Sequence, residues 1–236
     1  MRELAEWLSG HGLAVHSVHA PTERDLGPGR ESGLPISICD TERSRRLDAV
    51  DEIKRALDLA ERIPFRYLVQ HVGSSREPTD SRRWDAAFSS LEHLMVFAKQ
   101  RGVTITLENT PGELATPANL RHFIEETRLH DLRLCFDTGH AHMDEGVERS
   151  LETMRELVVT THVHDNRGDK DEHLFPFQGT IDWDAALKAL AGAGPEPGPK
   201  GLPIVLELKE QAAHPRPIEQ AVAVFEKFEN VLTAKA

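Results

Sequence analysis

A chain of 236 residues, 39% hydrophobic and 28% charged, suffices for one globular domain with a sizeable core spanning residues 1–236. Its formal net charge of −11 works against a broad nucleic-acid surface, and no apolar run approaches membrane-spanning length. The N-terminus lacks the apolar core of a signal peptide, and the two cysteines, Cys39 and Cys135, stand in unlike contexts, so a reducing cytoplasm is the expected compartment.

Residues 2–12 read as a helix with Leu4, Trp7 and Leu8 on one stripe and Gly10 and Gly12 ending it. A strand over 14–18 delivers His19, and Pro21 to Asp40 is a long loop carrying Arg24 and Arg30. Leu47, Val50, Ile53, Leu57 and Ala60 mark an amphipathic helix that stops before Pro64. The run Tyr67–Gln70 is a strand ending at His71, with Gly73 allowing a sharp turn. A second helix carries Trp84, Phe88, Leu91, Met95 and Ala98. Strand 103–107 reaches Glu108, and Thr116-Pro117 caps a helix running through Glu126. Strand 132–137 ends at Asp137, with His140 just beyond, and Cys135 inside it reads as a small packed hydrophobe. A capped helix starts at Thr180, and the Gly/Pro-rich 192–201 is a surface loop. Strand 203–207 ends at Glu207 and precedes a last helix with Ile218, Val222, Phe225 and Phe228 inward.

One stretch stands apart. Thr161 to His173 packs three histidines and three aspartates into thirteen residues, directly after the apolar run Leu157-Val158-Val159. Val158, Thr160, His162 and His164 share one strand parity, so an apolar face delivers imidazoles at the strand's C-terminal end. The following loop adds Asp165, Asp171 and His173. Neutral imidazole and carboxylate are ligands for zinc, manganese or iron. A single histidine is more often a satisfied core residue, and His142 and His164 are read that way; Asp165, Asn166 and Arg167 read as loop-ordering or substrate-hydroxyl contacts. The metal reading gains weight because six strand candidates end in ligand-type side chains: His19, His71, Glu108, Asp137, His162 and Glu207. Alternating strands and helices with every strand ending in such a residue predict a (β/α)8 barrel rather than an open sheet, whose site would gather at one switch point. Dinucleotide and phosphate-loop glycine patterns are absent.

The segments His19-Ala-Pro, His71-Val-Gly, Leu107-Glu-Asn-Thr, Phe136-Asp-Thr-Gly-His, His162-Val-His-Asp, Asp171-Glu-His and Leu206-Glu-Leu together resemble the xylose isomerase-like TIM-barrel superfamily. That superfamily joins sugar and sugar-phosphate isomerases and epimerases, inosose dehydratases and the endonuclease IV class. The resemblance implies a barrel lacking its first two strands, with six long parallel strands recognisable and the uncovered edge exposed, covered or paired in a homo-oligomer. It implies a divalent metal, Mn, Zn, Mg or Co. In the epimerase pattern one ion is held by residues matching Glu108, Asp137, His162 and Glu207, the two glutamates also serving as acid and base. In the endonuclease IV pattern three zinc ions are held by nine side chains, matched here by those four together with His19, His71, His140, Asp171 and His173. These five are candidates either for further metal ligands or for hydrogen bonds to a sugar, and Arg167 is a candidate substrate contact.

Three features favour a carbohydrate substrate over abasic DNA. Gln178-Gly-Thr-Ile-Asp-Trp resembles the ending of the sugar branch. DNA-penetrating loops are not evident, and the acidic balance offers no phosphate-tracking stripe. The expected function is a metal-dependent sugar or sugar-phosphate isomerase or epimerase acting by proton transfer next to a carbonyl. The alternatives are an endonuclease IV-like phosphodiesterase and a non-catalytic metal-binding barrel.

Overall fold

The computed structural model describes residues 1–24, 33, 35–195, 201–209 and 216–233. Arg30 and part of the 192–201 loop lie outside the described residues. The elements are α1 (Arg2–Gly10), β1 (Val15–His19), α2 (Arg43–Leu57), β2 (Phe65–Gln70), α3 (Ser81–Lys99), β3 (Thr104–Glu108), α4 (Pro117–Thr127), β4 (Arg133–Asp137), α5 (Thr138–Met143), α6 (Val147–Met154), β5 (Val158–His162), α7 (Trp183–Ala191) and α8 (Pro217–Thr233). A short 3-10 turn, Asp58–Glu61, follows α2. The strands pair in chain order, β1-β2-β3 among themselves and β4 with β5. The chain divides into two compact units, one of Met1–Glu108, Gly112–Ala115 and His122–Arg133, the other of Asn109–Pro111, Thr116–Arg121 and Leu134–Ala236.

In the first unit β1 pairs with β2 and β2 with β3, all parallel, in the registers Val18↔Leu68 and Leu68↔Ile105. Helices α2 and α3 pack together, burying Val50, Ile53 and Leu57 on one and Ala87, Leu91, Leu94 and Ala98 on the other. Such i, i+3, i+4 stripes make a helix adhere by one face. Asp80 caps α3, accepting from the Arg83 N–H at 3.0 Å. Leu47, expected on the inward stripe of α2, is exposed; steps of three residues drift around a helix, leaving Leu47 roughly 120° from Ile53. Helix α1 has no buried residue, and its Leu4 and Trp7 are exposed.

In the second unit β4 pairs in parallel with β5, with Asp137 opposite His162. The expected strand 203–207 is reduced to one parallel bridge, Val163↔Leu206. Its hydrogen bonds run from Val163 N to Val205 O, 2.8 Å, and from Glu207 N to Val163 O, 3.2 Å. Further back the ladder is taken over by a side chain: Thr161 Oγ1 donates to Pro203 O at 2.7 Å and accepts from Val205 N at 3.4 Å. Pro203 has no N–H to offer. Among the described residues, five strands and this bridge therefore stand where six strands were expected, and Glu207 is still fixed by the bridge.

The inward stripe of α8 also differs from expectation. Val224 and Phe228 are buried, whereas Ile218, Val222 and Phe225 are exposed, Ile218 by 76%. Ile218 and Val222 lie roughly 80° and 120° around the helix from Phe228, which seats itself against Trp183 and Phe177 with ring centroids 5.4 and 5.7 Å away. Helices α5 and α6, not anticipated, occupy the span between β4 and β5. No helix among the described residues is long and apolar enough to cross a membrane.

Candidate metal centres

Parallel strands ending at one level put consecutive strand-end side chains side by side. In the first unit this gathers His19 from the end of β1, His71 just beyond β2 and Glu108 from the end of β3. The Nε2 atoms of His19 and His71 lie 3.2 Å apart, and Glu108 Oε2 is 3.2 Å from His71 Nε2 and 3.4 Å from His19 Nε2. Ligands 2.0–2.1 Å from a tetrahedral zinc ion stand about 3.3–3.4 Å apart, so the three edges fit such an ion. His19 Nδ1 donates to Ala20 O at 2.7 Å, since a carbonyl can only accept. That fixes Nε2 as the lone-pair nitrogen of the neutral ring, the usual tautomer lock of a metal-bound histidine. The Glu108 side chain is 1% exposed, and a carboxylate so enclosed requires a cationic or donating partner. The turn after His71 needs glycine: a Cβ on Gly73 would fall 2.7 Å from Cys39 Sγ and 2.9 Å from Glu77 Oε2. The buried Cys39 thiol is pushed up to about 11 by burial, with the Glu77 carboxylate adding to the shift.

In the second unit Asp137 ends β4 and caps α5, its Oδ1 accepting from the His140 N–H at 2.6 Å. Asn109 holds the same residue by its backbone, donating Nδ2 to Asp137 O at 3.0 Å and accepting from Asp137 N at 2.8 Å. His162 Nδ1 stands 3.2 Å from Glu207 Oε2, and the donor atoms of Asp137, His162 and Glu207 lie within 4.8 Å of one another. One imidazole and two carboxylates form a donor set suited to zinc or manganese.

The loop after β5 carries a further group. His140 Nε2 is 3.4 Å, and His173 Nε2 3.1 Å, from Asp171 Oδ2. Partial burial disfavours the Asp171 charge, yet hydrogen bonds from His140 and His173 hold its carboxyl well below the usual range. Burial likewise opposes charge on His173, but Asp171 and the carbonyl of Glu207 raise it above its ordinary value.

Asp165 is the anchor of this loop. Wholly buried, it takes the N–H groups of Asn166 (2.9 Å) and Ile181 (3.2 Å) on Oδ1, and those of Gly179 (3.0 Å) and the Trp183 indole (2.9 Å) on Oδ2. Its backbone pairs with Leu174 in both directions, at 2.8 and 2.9 Å, closing the loop that presents Asp171 and His173. Gly179 is required here, because a Cβ would meet Asn166 O at 2.2 Å and Asp165 Oδ1 at 2.3 Å. Of the two roles expected for Asp165, loop ordering is the one its contacts fill. Arg167 is exposed and engaged with Glu172 through its guanidinium and its backbone N–H. His142 bonds Thr180 Oγ1 at 2.9 Å.

The sequence assigns Asn109 no role, whereas His164, read there as a core residue, is wholly buried. The Leu-Glu-Asn-Thr motif held Asn109 in view; its two bonds to the Asp137 backbone are what the sequence does not display.

The xylose isomerase-like TIM barrel pattern matches residues 1–228. The chain belongs to this family. It is 28% identical over 162 residues to the inosose dehydratase of Erwinia tasmaniensis, an alignment covering 59% of this chain and 52% of that protein. Among solved structures, a D-tagatose 3-epimerase-like protein superposes with a TM-score of 0.75 at 24% identity, covering 98% of this chain and 81% of the other. The IolI protein with a bound zinc atom superposes with a TM-score of 0.71 at 18% identity, over 99% and 81% of the two chains. These likenesses to solved structures establish the fold. The chain spans 52–65% of the length of the curated relatives it matches.

Proposed function

We propose that this family member is a divalent-metal-dependent sugar or sugar-phosphate isomerase or epimerase, with Glu108 and Glu207 as the exchanging acid/base pair and Asp137 and His162 completing the metal's ligand set. The observation that carries the reading is that each glutamate stands in a donor set of metal type, Glu108 with two imidazoles and Glu207 with His162. The names of the relatives, an inosose dehydratase and an epimerase-like protein, support a carbohydrate substrate.

A bound divalent ion would polarise the substrate carbonyl and stabilise the negative charge that develops on its oxygen. The chain's part is proton transfer. Glu207, 30% exposed at its side chain, takes the proton from the carbon beside the carbonyl as the C–H electron pair moves toward the carbonyl oxygen. Glu108, enclosed, returns a proton to form the new C–H bond. Asn109 fixes the Asp137 backbone, so that carboxylate holds its place while the glutamates change charge.

Replacing either glutamate by Gln keeps its size and one ligand oxygen while removing the base. Metal should be largely retained while turnover falls by about two to four orders of magnitude. Loss of metal with proportionate loss of turnover would mean that the glutamates are ligands alone.

The phosphodiesterase reading draws on the groups His19, His71, Glu108 and His140, Asp171, His173, which exceed what one ion needs. Against it stand the net charge of −11 and the engagement of Arg167 by Glu172.

A further inference from the structure

The turn that follows β2 decides where His71 stands, and a carboxylate outside the candidate ligands holds that turn. Glu77 reaches back over Arg76 and Ser75: its Oε2 accepts the Ser74 N–H at 2.7 Å, while its own N–H donates to Ser74 O at 3.1 Å. Two reciprocal bonds across a Ser-x-x-Glu spacing are those of a capping box, made here in a turn, since α3 starts only at Ser81. The second carboxylate oxygen, Oε1, accepts from Arg83 Nη1 at 2.6 Å and from the Cys39 thiol at 3.5 Å. The Glu77 and Arg83 side chains are 16% and 19% exposed, and two charges so enclosed depend on each other.

Three segments meet at this pair. Arg83 stands in the first turn of α3, and its Nη1 also donates to Cys39 O at 3.4 Å. Helix α3 grips the segment around Cys39 a second time, Ser90 Oγ donating to Ile38 O at 2.8 Å. Gly73 is wedged between Cys39 Sγ and Glu77 Oε2, with no room for a side chain. From Gly73 the chain reaches His71 through the buried Val72, and Gln70 Nε2 donates to the His71 carbonyl at 2.7 Å. The backbone leaving His71 is thus held at its carbonyl by Gln70 and at the Ser74 N–H by Glu77. A ring whose Nε2 must stand 3.2 Å from both His19 Nε2 and Glu108 Oε2 tolerates little drift in that backbone.

We propose that Glu77 is a positioning residue for the His19, His71 and Glu108 group: anchored on Arg83, it clamps the Ser74 N–H and so keeps the His71 imidazole within reach of an ion shared with His19 and Glu108. Glu77 itself touches neither ion nor substrate. The inference rests on the metal reading of that group, and its readout is zinc affinity, not turnover.

The full chain, labelled with nitrogen-15 at histidine, is titrated with zinc, and the ring signal of His19, identified by its loss in His19→Ala, gives the zinc concentration at half-conversion. Glu77→Gln keeps the shape but leaves one acceptor oxygen for two donors, the Ser74 N–H and Arg83, so half-conversion should need about tenfold more zinc, the lower end of what residues supporting a metal ligand contribute. Glu77→Asp keeps the charge beside Arg83 and draws it one methylene back from Ser74; it should shift half-conversion the same way by a smaller factor, and it serves if Glu77→Gln fails to fold. Val50→Ala loosens the buried face of α2 in the same unit without touching the turn, and should leave half-conversion at the wild-type value. Unchanged half-conversion in a folded Glu77→Gln, or in Glu77→Asp where the other does not fold, would overturn the proposal, as would an equal shift in Val50→Ala. A wild-type His19 signal indifferent to zinc would overturn the metal reading of the group together with the proposal, whereas failure among the variants alone leaves that reading standing.

Discussion

Asp165→Asn is the substitution whose cost can be worked most directly. The aspartate uses two oxygens to receive four N–H donors, from Asn166, Ile181, Gly179 and the Trp183 indole, with no solvent reaching it. Asparagine keeps the shape but has one oxygen. Either orientation of its amide satisfies two donors and turns N–H groups toward the other two. Hydrogen bonds to a buried charged group contribute about 1.5–3 kcal/mol each, so losing two costs on the order of 3–6 kcal/mol. That is a large share of a typical stability of roughly 5–15 kcal/mol. For a chain of this size each 1 kcal/mol lowers Tm by about 2–4 °C. Urea unfolding of the metal-loaded chain, followed by tryptophan fluorescence and circular dichroism, gives the difference. Trp183→Phe removes one of the four donors and should cost less, and the two substitutions together should be less than additive because they share a bond. An Asp165→Asn midpoint within about 1 kcal/mol of wild type would refute the reasoning, since a surface carboxylate behaves that way.

Gly139→Ala, which would drive a Cβ into the His164 ring, should destabilise by about 1–3 kcal/mol; a urea midpoint unchanged from wild type would contradict the ring placement. Removing metal with a chelator should lower the melting temperature of the wild type, because the converging carboxylates and lone pairs then face one another directly, and an unchanged melting curve would count against metal in either unit. Cys39 gives a pH prediction. Its thiol rises from 9.0 to about 11 on folding, so the unfolded chain ionises first. The stability held below pH 9 is lost as pH climbs through 11, by on the order of 2 kcal/mol. Cys39→Ser should flatten that part of the pH profile, and the wild-type thiol should react with a maleimide only slowly in the native state.

Which parts of this were legible in the sequence depends on whether the determining contact is local. Tyr67 to His71 and Val103 to Glu108 could be read because a largely buried strand shows as an apolar run, and the ligand-type residue stands where the run stops; Val15 to His19, of intermediate exposure throughout, is marked by its strand-like length and terminal histidine instead. The gathering of His19, His71 and Glu108 follows from parallel register alone. Strand 203–207 could not be settled, since Val205 and Pro203 turn to the Thr161 hydroxyl, a partner more than forty residues away. Helix α5 hid behind its composition: Thr-Gly-His-Ala-His-Met has no apolar stripe, and its N-terminus is set by the buried cap of Asp137. Apolar residues lie on several sides of α8, so periodicity alone did not choose between the Ile218 side and the Phe228 side; the ring contacts with Trp183 and Phe177 did. Asn109 acts through the Asp137 backbone, so a reading of residues one at a time leaves it without a role.

The central claim is proton exchange at carbon, and solvent isotope exchange tests it most directly. The metal-loaded chain is incubated in deuterium oxide with a panel of ketoses and their phosphates, and each sugar is examined by proton NMR and mass spectrometry, beside an abasic-site oligonucleotide. The account predicts deuterium on the carbon next to the carbonyl of at least one sugar with wild type, and no uptake with Glu108→Gln or Glu207→Gln. Cleavage of the oligonucleotide without exchange into any sugar would contradict it and place the chain with the phosphodiesterases.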